Sequence, residues 1–290
     1  MASRTVDAPS LAPAPWFAVT MTVRNNARTL RESLGTILPQ LTEGGELVIV
    51  DALSDDGTQE ILRELAATDP RLTVLEQACN RGVGRNLAVA RSRAPIVLTQ
   101  VDGDNRYAGD VLRTVAARLR DTPGSDAAFA VGALDWDPSS TRFYAWRRAG
   151  FDRAGGYELR QEREDPPLLL RAFRAGLRIE RCLLPKLADD LKPRARGRAP
   201  SVGPWRRGSH TMWAARKFRA MGYRYPEYLR LLRLTRRTEA RFLAGGTLGL
   251  LAYIQGALHH DGPEVLERDD EVRPSGSIPA GSPSGASGPR

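Results

Sequence analysis

Two carboxylates one residue apart follow a run of apolar residues in the middle of the chain. Ile96 to Val101 is apolar apart from Thr and Gln, and Asp102, Gly103 and Asp104 come directly after it. Carboxylates at this spacing point the same way and suit a hard divalent cation, Mg²⁺ or Mn²⁺, while the glycine leaves room for a diphosphate. Such a cation keeps positions for phosphate oxygens and can neutralise charge on a departing diphosphate. The alternative is an ordinary turn, in which Asp and Gly are common.

These carboxylates end one of a series of predicted strands that alternate with predicted helices. The strands are Phe17 to Val23, Glu46 to Asp51, Leu72 to Glu76, Ile96 to Val101 and Ala127 to Leu134. The first two lack one-sided alternation, which predicts strands buried on both faces of a parallel sheet. In such βαβ sheets, ligands bind beyond the carboxyl ends of the strands. We therefore expect the chemistry at Val23, Asp51, Glu76 and Val101.

Apolar residues at helical spacing predict helices between these strands. The first helix carries Leu30, Leu34, Ile37 and Leu41, with Thr29 and Glu32 as a candidate capping box. Further helices are predicted around Ile61 to Leu65, over Arg85 to Ser92 and near Asp110 to Leu119.

The composition is that of a globular protein with an excess of positive charge. Of 290 residues, 41% are hydrophobic and 27% charged, which excludes wholesale disorder, collagen-like repeats and a polytopic membrane protein. The formal net charge of +9 favours polyanionic partners. Cys79 and Cys182 lie far apart and are interpreted as buried thiols in a reducing cytosol. The first residues carry no secretory signal, so we expect the protein in the cytoplasm.

The pattern along the chain predicts five regions. Residues 1–15 and the Ser, Gly and Pro-rich residues 261–290 are expected to be disordered. Residues 16–134 would bind the ligand at the sheet, and residues 135–234 form an α+β half with a second substrate pocket. Residues 235–260 include the charge-free stretch Phe242 to Leu258. That stretch is interpreted as a buried or interfacial helix in preference to a membrane span.

Three further segments occur together with the Asp102 to Asp104 motif. They are residues 21–26 (MTVRNN), 48–58 (VIVDALSDDGT) and 80–86 (NRGVGRN). In this order and spacing, the four resemble the inverting, nucleotide-sugar-dependent glycosyltransferases of family 2, over about Phe17 to Gly176. The resemblance implies a GT-A fold, which is α/β and Rossmann-like, with a mostly parallel central sheet flanked by helices and a helical C-terminal region. It also implies sugar transfer from a nucleoside-diphosphate sugar to a hydroxyl acceptor, a surface glycan or a lipid-linked glycan.

The resemblance implies a role for each strand end in binding the nucleotide. The nucleoside pocket would be lined by Thr22, Val23, Arg24 and Asn25. Asp51 would hydrogen-bond the base or ribose, with Asp55 or Asp56 supporting its loop. The family more often has two adjacent acids where this chain has Asp51 and Ala52.

Further residues would contact the diphosphate, the donor sugar and the cation. The segment that approaches the nucleotide and sugar contains Asn80, Arg81, Gly82 and Arg85. The alternative for Arg85 is pairing with a strand-end carboxylate. Asp104 would be the principal metal ligand, with Asp102 also at the metal and nearer the ribose and sugar, and Gly103 between them.

A general base is needed because an acceptor hydroxyl must lose its proton as it attacks. Gly155, Gly156 and Tyr157, followed by Glu164 and Asp165, resemble the acceptor loop and acidic pair of the family. In that pattern Asp165 is the base and Glu164 positions the acceptor. Asp165 before Pro166 also suits a helix N-cap, and the two roles are compatible.

A late arginine-rich segment is predicted to complete the site. His210 would add a metal ligand, with a surface histidine as the alternative. Arg206 and Arg207 could bind the diphosphate, although Arg194 to Arg219 also suits a solvated or membrane-facing surface. Residues 194–213 are the candidate for a mobile loop that closes over the donor and excludes water.

Rival functions explain less of the sequence. A nucleic-acid-binding module would account for the basic charge, but no reader motif is present and the strand-end acids would repel phosphates, so no nucleic acid is expected. A nucleotidyltransferase or a catalytically dead scaffold is less favoured, and a polyprenyl-phosphate acceptor on the same fold stays open. The basic C-terminal half with its apolar stretch predicts peripheral contact with an anionic membrane at its cytoplasmic face.

Overall fold

The computed structural model of the protein describes residues 14–42, 44–132, 143–159, 165–191, 215, 218–235 and 246–254. Its strands are β1 (Phe17–Val23), β2 (Gly45–Asp51), β3 (Leu72–Glu76), β4 (Ile96–Thr99), β5 (Asn105–Tyr107), β6 (Ala127–Gly132), β7 (Phe143–Arg147), β8 (Ile179–Leu184) and β9 (Ala188–Asp190). Its helices are α1 (Ala27–Ile37), α2 (Thr58–Thr68), α3 (Arg81–Arg91), α4 (Val111–Arg120), α5 (Arg148–Arg153), α6 (Asp165–Arg174) and α7 (Tyr225–Thr235), with a short 3₁₀ helix at Leu38–Leu41.

One sheet of seven strands, in the order β3-β2-β1-β4-β7-β6-β8, forms the centre of the described structure. The strands β3, β2, β1 and β4 are parallel, β7 is antiparallel to both of its neighbours, and β8 is parallel to β6. The predicted α/β class with a mostly parallel sheet is confirmed. Since β7 and β8 lie beyond residue 134, the two predicted halves of the chain share this sheet.

Both faces of the sheet are covered, which explains why the strands lack polar alternation. Phe17, Val19 and Met21 of β1 pack with Leu30 and Leu34 of α1 on one face. On the other face, Ala18 and Val97 pack with aromatic residues of the second half: Phe129, Tyr144, Trp146, Phe151 and Tyr157. Successive residues of one strand therefore enter opposite layers of the core.

The helix starts differ from those predicted. Asn26 precedes α1, and Thr29 lies two residues inside the helix, where its hydroxyl donates to the Gly103 carbonyl. Glu32 instead pairs with Arg106, so the predicted capping box is wrong. The helix α3 begins at Arg81, four residues before the prediction, because the Asn80 side chain caps it by accepting from the Val83 amide at 2.9 Å.

Two smaller expectations also change. The strand β4 ends at Thr99, since Gln100 takes the left-handed conformation with φ of 64°. Cys182 is buried as expected, but Cys79 is only partly buried. Residues 246–254 are helical within the apolar stretch, and no helix in the described part of the chain is long and apolar enough to cross a membrane. Apart from residues 14 and 15, the two predicted disordered ends lie outside the described residues.

Close packing of α3 on β1 depends on Gly84. A Cβ atom at this position would lie 2.5 Å from Thr22 Cγ2 and 2.6 Å from Thr22 Oγ1. The helix can approach the end of β1 only because no side chain intervenes. Gly35 in α1 offers the matched case, because a Cβ atom there would meet nothing within 4 Å.

We predict that Gly84→Ala lowers the free energy of unfolding by about 1–3 kcal/mol, because the added methyl group overpacks the α3 and β1 contact. Gly35→Ala, the same change in an open helical position, should be neutral or raise it by about 0.5–1 kcal/mol. Urea unfolding of both variants measures the difference. Equal stability of the two variants would contradict the packing argument.

Candidate functional site

The carboxyl ends of β1, β2 and β4 meet at one edge of the sheet. In the register of the strands, Val23 lies opposite Asp51, and Asp51 lies opposite Glu76. Each of the three strands is followed by a residue other than glycine with a positive φ: Asn25 (53°), Leu53 (55°) and Gln100 (64°). Such conformations cost energy and cluster at binding sites, so this edge is the candidate functional site.

The loop after β2 is built around a buried carboxylate. Asp51 has no exposed surface. It accepts hydrogen bonds from the Ser54 backbone amide at 3.0 Å, from the Ser54 hydroxyl and from the Gln59 side-chain Nε2 at 3.0 Å. These contacts fix the turn that follows the strand. In the described structure the Asp51 oxygens hold this loop, and a contact of Asp51 with the base or ribose stays a prediction.

Hydrogen bonds join the loop after β2 to the loop after β1. The Asn25 amide donates to the Ser54 hydroxyl at 2.9 Å, and the Asp55 amide donates to Asn25 Oδ1 at 3.1 Å. Asp56 accepts from the Ala27 amide at 3.0 Å and from Thr58. Partial burial works against the ionised form, but the hydrogen bonds from Thr58 and Ala27 hold the pKa of Asp56 below its usual value. Its carboxylate therefore stays charged and ties the two loops together at neutral pH.

The Asp102 to Asp104 turn is fixed from behind by α1. The Thr29 hydroxyl donates to the Gly103 carbonyl at 3.0 Å, and the Asp102 amide donates to the Tyr107 hydroxyl at 2.7 Å. Burial raises the pKa of Tyr107 well above its usual value, so this hydroxyl stays neutral. A Cβ atom at Gly103 would lie 3.1 Å from Val23 Cγ1, so the turn packs directly against the end of β1. The backbone of the turn is therefore set before any ligand arrives.

The two carboxylates of this turn remain open to solvent. The Asp102 side chain is 47% exposed and lies 3.4 Å from the guanidinium of Arg85. Asp104 is partly exposed, and its Oδ1 accepts from the Asn105 side chain at 3.2 Å. In the described part of the chain no group of three or more His, Cys, Asp or Glu residues could hold a metal alone. Two carboxylates fit a cation whose remaining positions are filled by phosphate oxygens and water.

Arg85 connects the carboxylate turn with the second half of the chain. It is 6% exposed, pairs with Asp102 and lies over the Tyr157 ring, with 5.4 Å between its Cζ atom and the ring centroid. The structure thus shows the pairing with a strand-end carboxylate that was the alternative for this residue. A buried guanidinium at this point orients Asp102 and adds positive charge beside the turn.

The loop that contains Gly155 and Gly156 is held by α3. Asn86 uses its whole amide on Tyr157: Oδ1 accepts from the backbone amide and Nδ2 donates to the carbonyl, both at 2.8 Å. Asn80 Nδ2 donates to the Leu159 carbonyl, and the Tyr157 hydroxyl donates to Thr99 at the end of β4. The motif 80–86 and the loop 155–159 therefore form one unit. Asn86 was missed by sequence reasoning, although it ends the quoted motif.

The predicted catalytic pair lies at the edge of the described chain. The helix α6 begins at Asp165, with Pro166 and Pro167 in its first turn, and only the backbone of Asp165 is described. Arg171 of α6 donates to the Ala154 carbonyl at 2.8 Å and pairs with Glu158 at 2.9 Å, which fixes the helix beside the glycine loop. Glu164, His210, Arg206, Arg207 and the candidate mobile loop 194–213 lie outside the described residues.

Two buried polar atoms near this edge have no hydrogen-bond partner among the described residues. They are the Thr22 hydroxyl oxygen and the Gln100 side-chain nitrogen. Arg24 and Arg81 are exposed beside them, and Gly82 is buried in the first turn of α3. Gln100 was not predicted, and neither were Asp189 and Asp190 of β9, which pair with β5 immediately after Asp104. Only the long-range β5 and β9 pairing brings these two acids near the turn.

Leu53 is a further residue that the sequence did not single out. It is 49% exposed, and its φ of 55° lies in the left-handed region that leucine avoids. An exposed apolar side chain in a strained conformation contributes little to the core. The only sequence signal is a lone leucine inside the polar segment 51–58.

We predict that Leu53→Gly raises the free energy of unfolding by about 1 kcal/mol, because glycine adopts a positive φ without strain. Leu87→Gly serves as the control, since Leu87 is 37% exposed in α3. There the same change should lower stability by about 1 kcal/mol. Thermal unfolding of both variants gives the comparison, and a loss of stability in both would mean that Leu53 is not strained.

Comparisons with known proteins give a matching family and a related protein. The model of "Glycosyl transferase family 2" matches residues 18–178, more than half of the chain. A putative teichuronic acid biosynthesis glycosyltransferase of Bacillus subtilis (strain 168), TuaG, is 33% identical over 90 residues, which cover 30% of this chain and 35% of that protein. The matched part thus spans about a third of that relative's length.

Two solved structures share the fold. The mannosyltransferase PcManGT of Pyrobaculum calidifontis, in complex with GDP-Man and Mn²⁺, has a TM-score of 0.57 at 19% identity, covering 92% of this chain and 77% of that one. TarS 1-349 of S. aureus, in complex with UDP-GlcNAc, has a TM-score of 0.50 at 18% identity, covering 78% and 69%. At these identities, the likeness shows the fold alone.

Proposed function

Since the chain belongs to glycosyl transferase family 2, we propose that it transfers a sugar from a nucleoside-diphosphate sugar to a hydroxyl group of an acceptor. The observation that carries this proposal is the edge where the ends of β1, β2 and β4 meet the Asp102 to Asp104 turn. That edge combines partly exposed carboxylates, exposed arginines and buried polar groups without a partner among the described residues. Carboxylates that can hold a cation and arginines that can contact phosphate oxygens suit a nucleotide with a diphosphate.

The donor would lie across the three strand ends. Thr22, Val23, Arg24 and Asn25 would line the nucleoside side of the site, and Arg81, which is exposed, would contact phosphate oxygens. Asp104 and Asp102 would hold Mg²⁺ or Mn²⁺ together with the diphosphate. When bound, the cation supplies positive charge that stabilises the leaving diphosphate. The GDP-Man, UDP-GlcNAc and Mn²⁺ in the two structures of the same fold support this donor class.

Asp165 would act as the general base. It lies at the first residue of α6, next to the glycine loop. Arg171 holds α6 to the glycine loop and Asn86 holds that loop to α3, so the start of α6 is tied to the first half of the chain. The carboxylate would take the proton of the acceptor hydroxyl as the oxygen attacks from the face opposite the diphosphate. This direct displacement inverts the anomeric configuration, and Glu164 would position the acceptor.

The acceptor is proposed to be a surface glycan or a lipid-linked glycan. The name of the Bacillus relative, which refers to teichuronic acid biosynthesis, supports a polysaccharide product. A polyprenyl phosphate is the alternative acceptor, and one observation favours an acceptor at a membrane. The helical residues 246–254 expose three large apolar side chains: Leu250, Leu251 and Ile254. Peripheral contact at the cytoplasmic face of the membrane is part of this proposal.

We predict that one nucleoside diphosphate among UDP, GDP, CDP and dTDP raises the midpoint of thermal unfolding by about 5 °C or more, and only with Mn²⁺ or Mg²⁺ present. Asp104→Asn should abolish this shift, because the cation loses its principal ligand. Asp165→Asn should keep the shift and lose sugar transfer. Asp121→Asn, an equal loss of charge at the far end of α4, should behave as the wild type.

The outcomes separate the parts of the proposal. If no nucleotide stabilises the protein under any condition, the proposed donor site is wrong. If Asp104→Asn is stabilised as much as the wild type, the nucleotide binds without the proposed metal ligand. If Asp165→Asn transfers sugar at the wild-type rate, another group is the base.

A further inference from the structure

A groove of about 520 Å³ lies far from the strand ends that form the candidate site. It runs between the end of α6, the start of β8 and the end of α7, all within the described residues. Four arginines line it: Arg178, Arg181, Arg230 and Arg233. No motif of the sequence pointed to this groove, because its arginines come from two segments about 50 residues apart in the chain.

The direction of β8 places the groove at the opposite edge of the sheet. The strands β4 and β6 are both antiparallel to β7, and β8 is parallel to β6, so β8 runs in the same direction as β4. Arg178 immediately precedes β8 and therefore lies at the amino ends of these strands. A strand of six residues is roughly 20 Å long, so a ligand in the groove does not reach the strand-end carboxylates. The groove is a separate site.

The arginines of the groove differ from other arginines at this edge. Arg147 donates to the carbonyls of Leu119, Thr122 and Ser125, and Arg148 donates to those of Val89, Ser92 and Ala94. Those two guanidinium groups satisfy the ends of helices. The guanidinium groups of Arg178, Arg230 and Arg233, by contrast, form no hydrogen bond or ion pair with any described residue.

The acidic residues near the groove are already engaged elsewhere. Glu180 points to the opposite face of β8 from Arg181, and it accepts from the Ser125 hydroxyl at 2.6 Å. Glu227 of α7 pairs with Arg174 at 2.9 Å. Asp126 pairs with Arg153 and accepts from the Arg178 backbone amide at 2.9 Å. The positive charge of the groove is therefore not neutralised by these neighbours.

One of the four arginines has a structural role. Arg181 donates to the Arg233 carbonyl at 3.4 Å, near the end of α7, where cationic groups stabilise a helix. Arg178, Arg230 and Arg233 make no such bond to a described carbonyl. Helix stabilisation thus accounts for Arg181 but leaves the clustering of the other three unexplained.

The floor of the groove is apolar. It is formed by Phe173, Leu177 and Leu234, each of which is less than a tenth exposed. Ile179, which is partly exposed, also lines the groove. A free phosphate ion would use the arginines but not this floor. A phosphate group that carries a glycerol and acyl chain would use both. We infer that the groove binds the phosphate of an anionic phospholipid and so attaches the protein to a membrane surface.

This inference names residues that the proposed function does not use, and it holds whether or not the protein transfers sugars. The lipid in the groove is an anchor and not the acceptor, because it lies at the opposite edge of the sheet from the Asp102 to Asp104 turn.

The test is sedimentation of the full chain with vesicles of phosphatidylcholine alone or of equal parts phosphatidylcholine and phosphatidylglycerol. We expect binding to the anionic vesicles only. Arg230→Gln with Arg233→Gln should weaken it about 30-fold, since each arginine at an anionic surface contributes about a five-fold factor. Arg91→Gln with Arg93→Gln, an equal charge loss at the same edge of the sheet, should change binding less than about three-fold. Equal weakening by both pairs, or no binding of the wild type, would overturn the inference.

A second arm distinguishes the lipid from a soluble anion. Inorganic phosphate without vesicles should not stabilise the wild type relative to the Arg230 and Arg233 double variant in thermal unfolding. If it does and the vesicles do not bind, the groove is a site for free phosphate and the lipid assignment is wrong. The double variant should unfold at the wild-type temperature and keep any nucleotide-dependent shift, because both side chains are exposed and remote from the strand ends. Arg178→Gln, on a different element, should weaken vesicle binding in the same direction.

Discussion

The parallel register of β2, β1 and β4 is the constraint on which the site depends. Backbone hydrogen bonds align Val23 with Asp51, so β1 and β2 end at the same level. They align Val19 with Leu98, so β4, which ends at Thr99, stops three residues before that level and is followed there by the segment that leads to Asp102. The chain must leave the sheet there in three adjacent loops, and their backbone groups have no ladder partner. Side chains supply hydrogen bonds to these backbone groups instead. In the first two loops the bonds come from Asp51, Asp56 and Ser54, and in the third from Thr29 and Tyr107. The functional groups are therefore mounted on a rigid edge.

Rigidity at this edge has a cost in backbone strain. Asn25, Leu53 and Gln100 all hold a positive φ, one at each strand end. Strain of this kind persists only where the surroundings fix it, and here buried carboxylates and hydroxyls do so. Side chains also fix a loop of the second half of the chain, because Asn86 and Arg85 of α3 contact Tyr157 in the glycine loop. The two halves of the chain are thereby joined by side chains of a single motif, an arrangement that would hold two reactants in position under the proposed function.

The strands were predictable, and so was the edge where they end. A continuous apolar run such as residues 47–50 is typical of a strand in a sheet that is covered on both faces. Helix starts were not predictable from local pattern. Thr29 does not cap α1, because its hydroxyl donates to the distant Gly103 carbonyl. The helix α3 begins at Arg81, earlier than its apolar spacing predicts, because Asn80 caps it. Of the site, the position of Asp102 and Asp104 followed from sequence. The burial of Asp51, the contact of Asn86 with Tyr157 and the arginine groove are long-range, and no local pattern encodes them.

The central claim is that a nucleoside diphosphate and a cation bind at the shared strand ends. Hydrogen–deuterium exchange of the wild type, with and without Mn²⁺ and the stabilising nucleotide, tests it most directly. The account predicts slower exchange confined to peptides that contain residues 22–28, 51–58, 80–86 and 100–106, with the start of β8 and the end of α7 unchanged. Protection spread evenly over the chain, or centred on the amino ends of the strands, would contradict it.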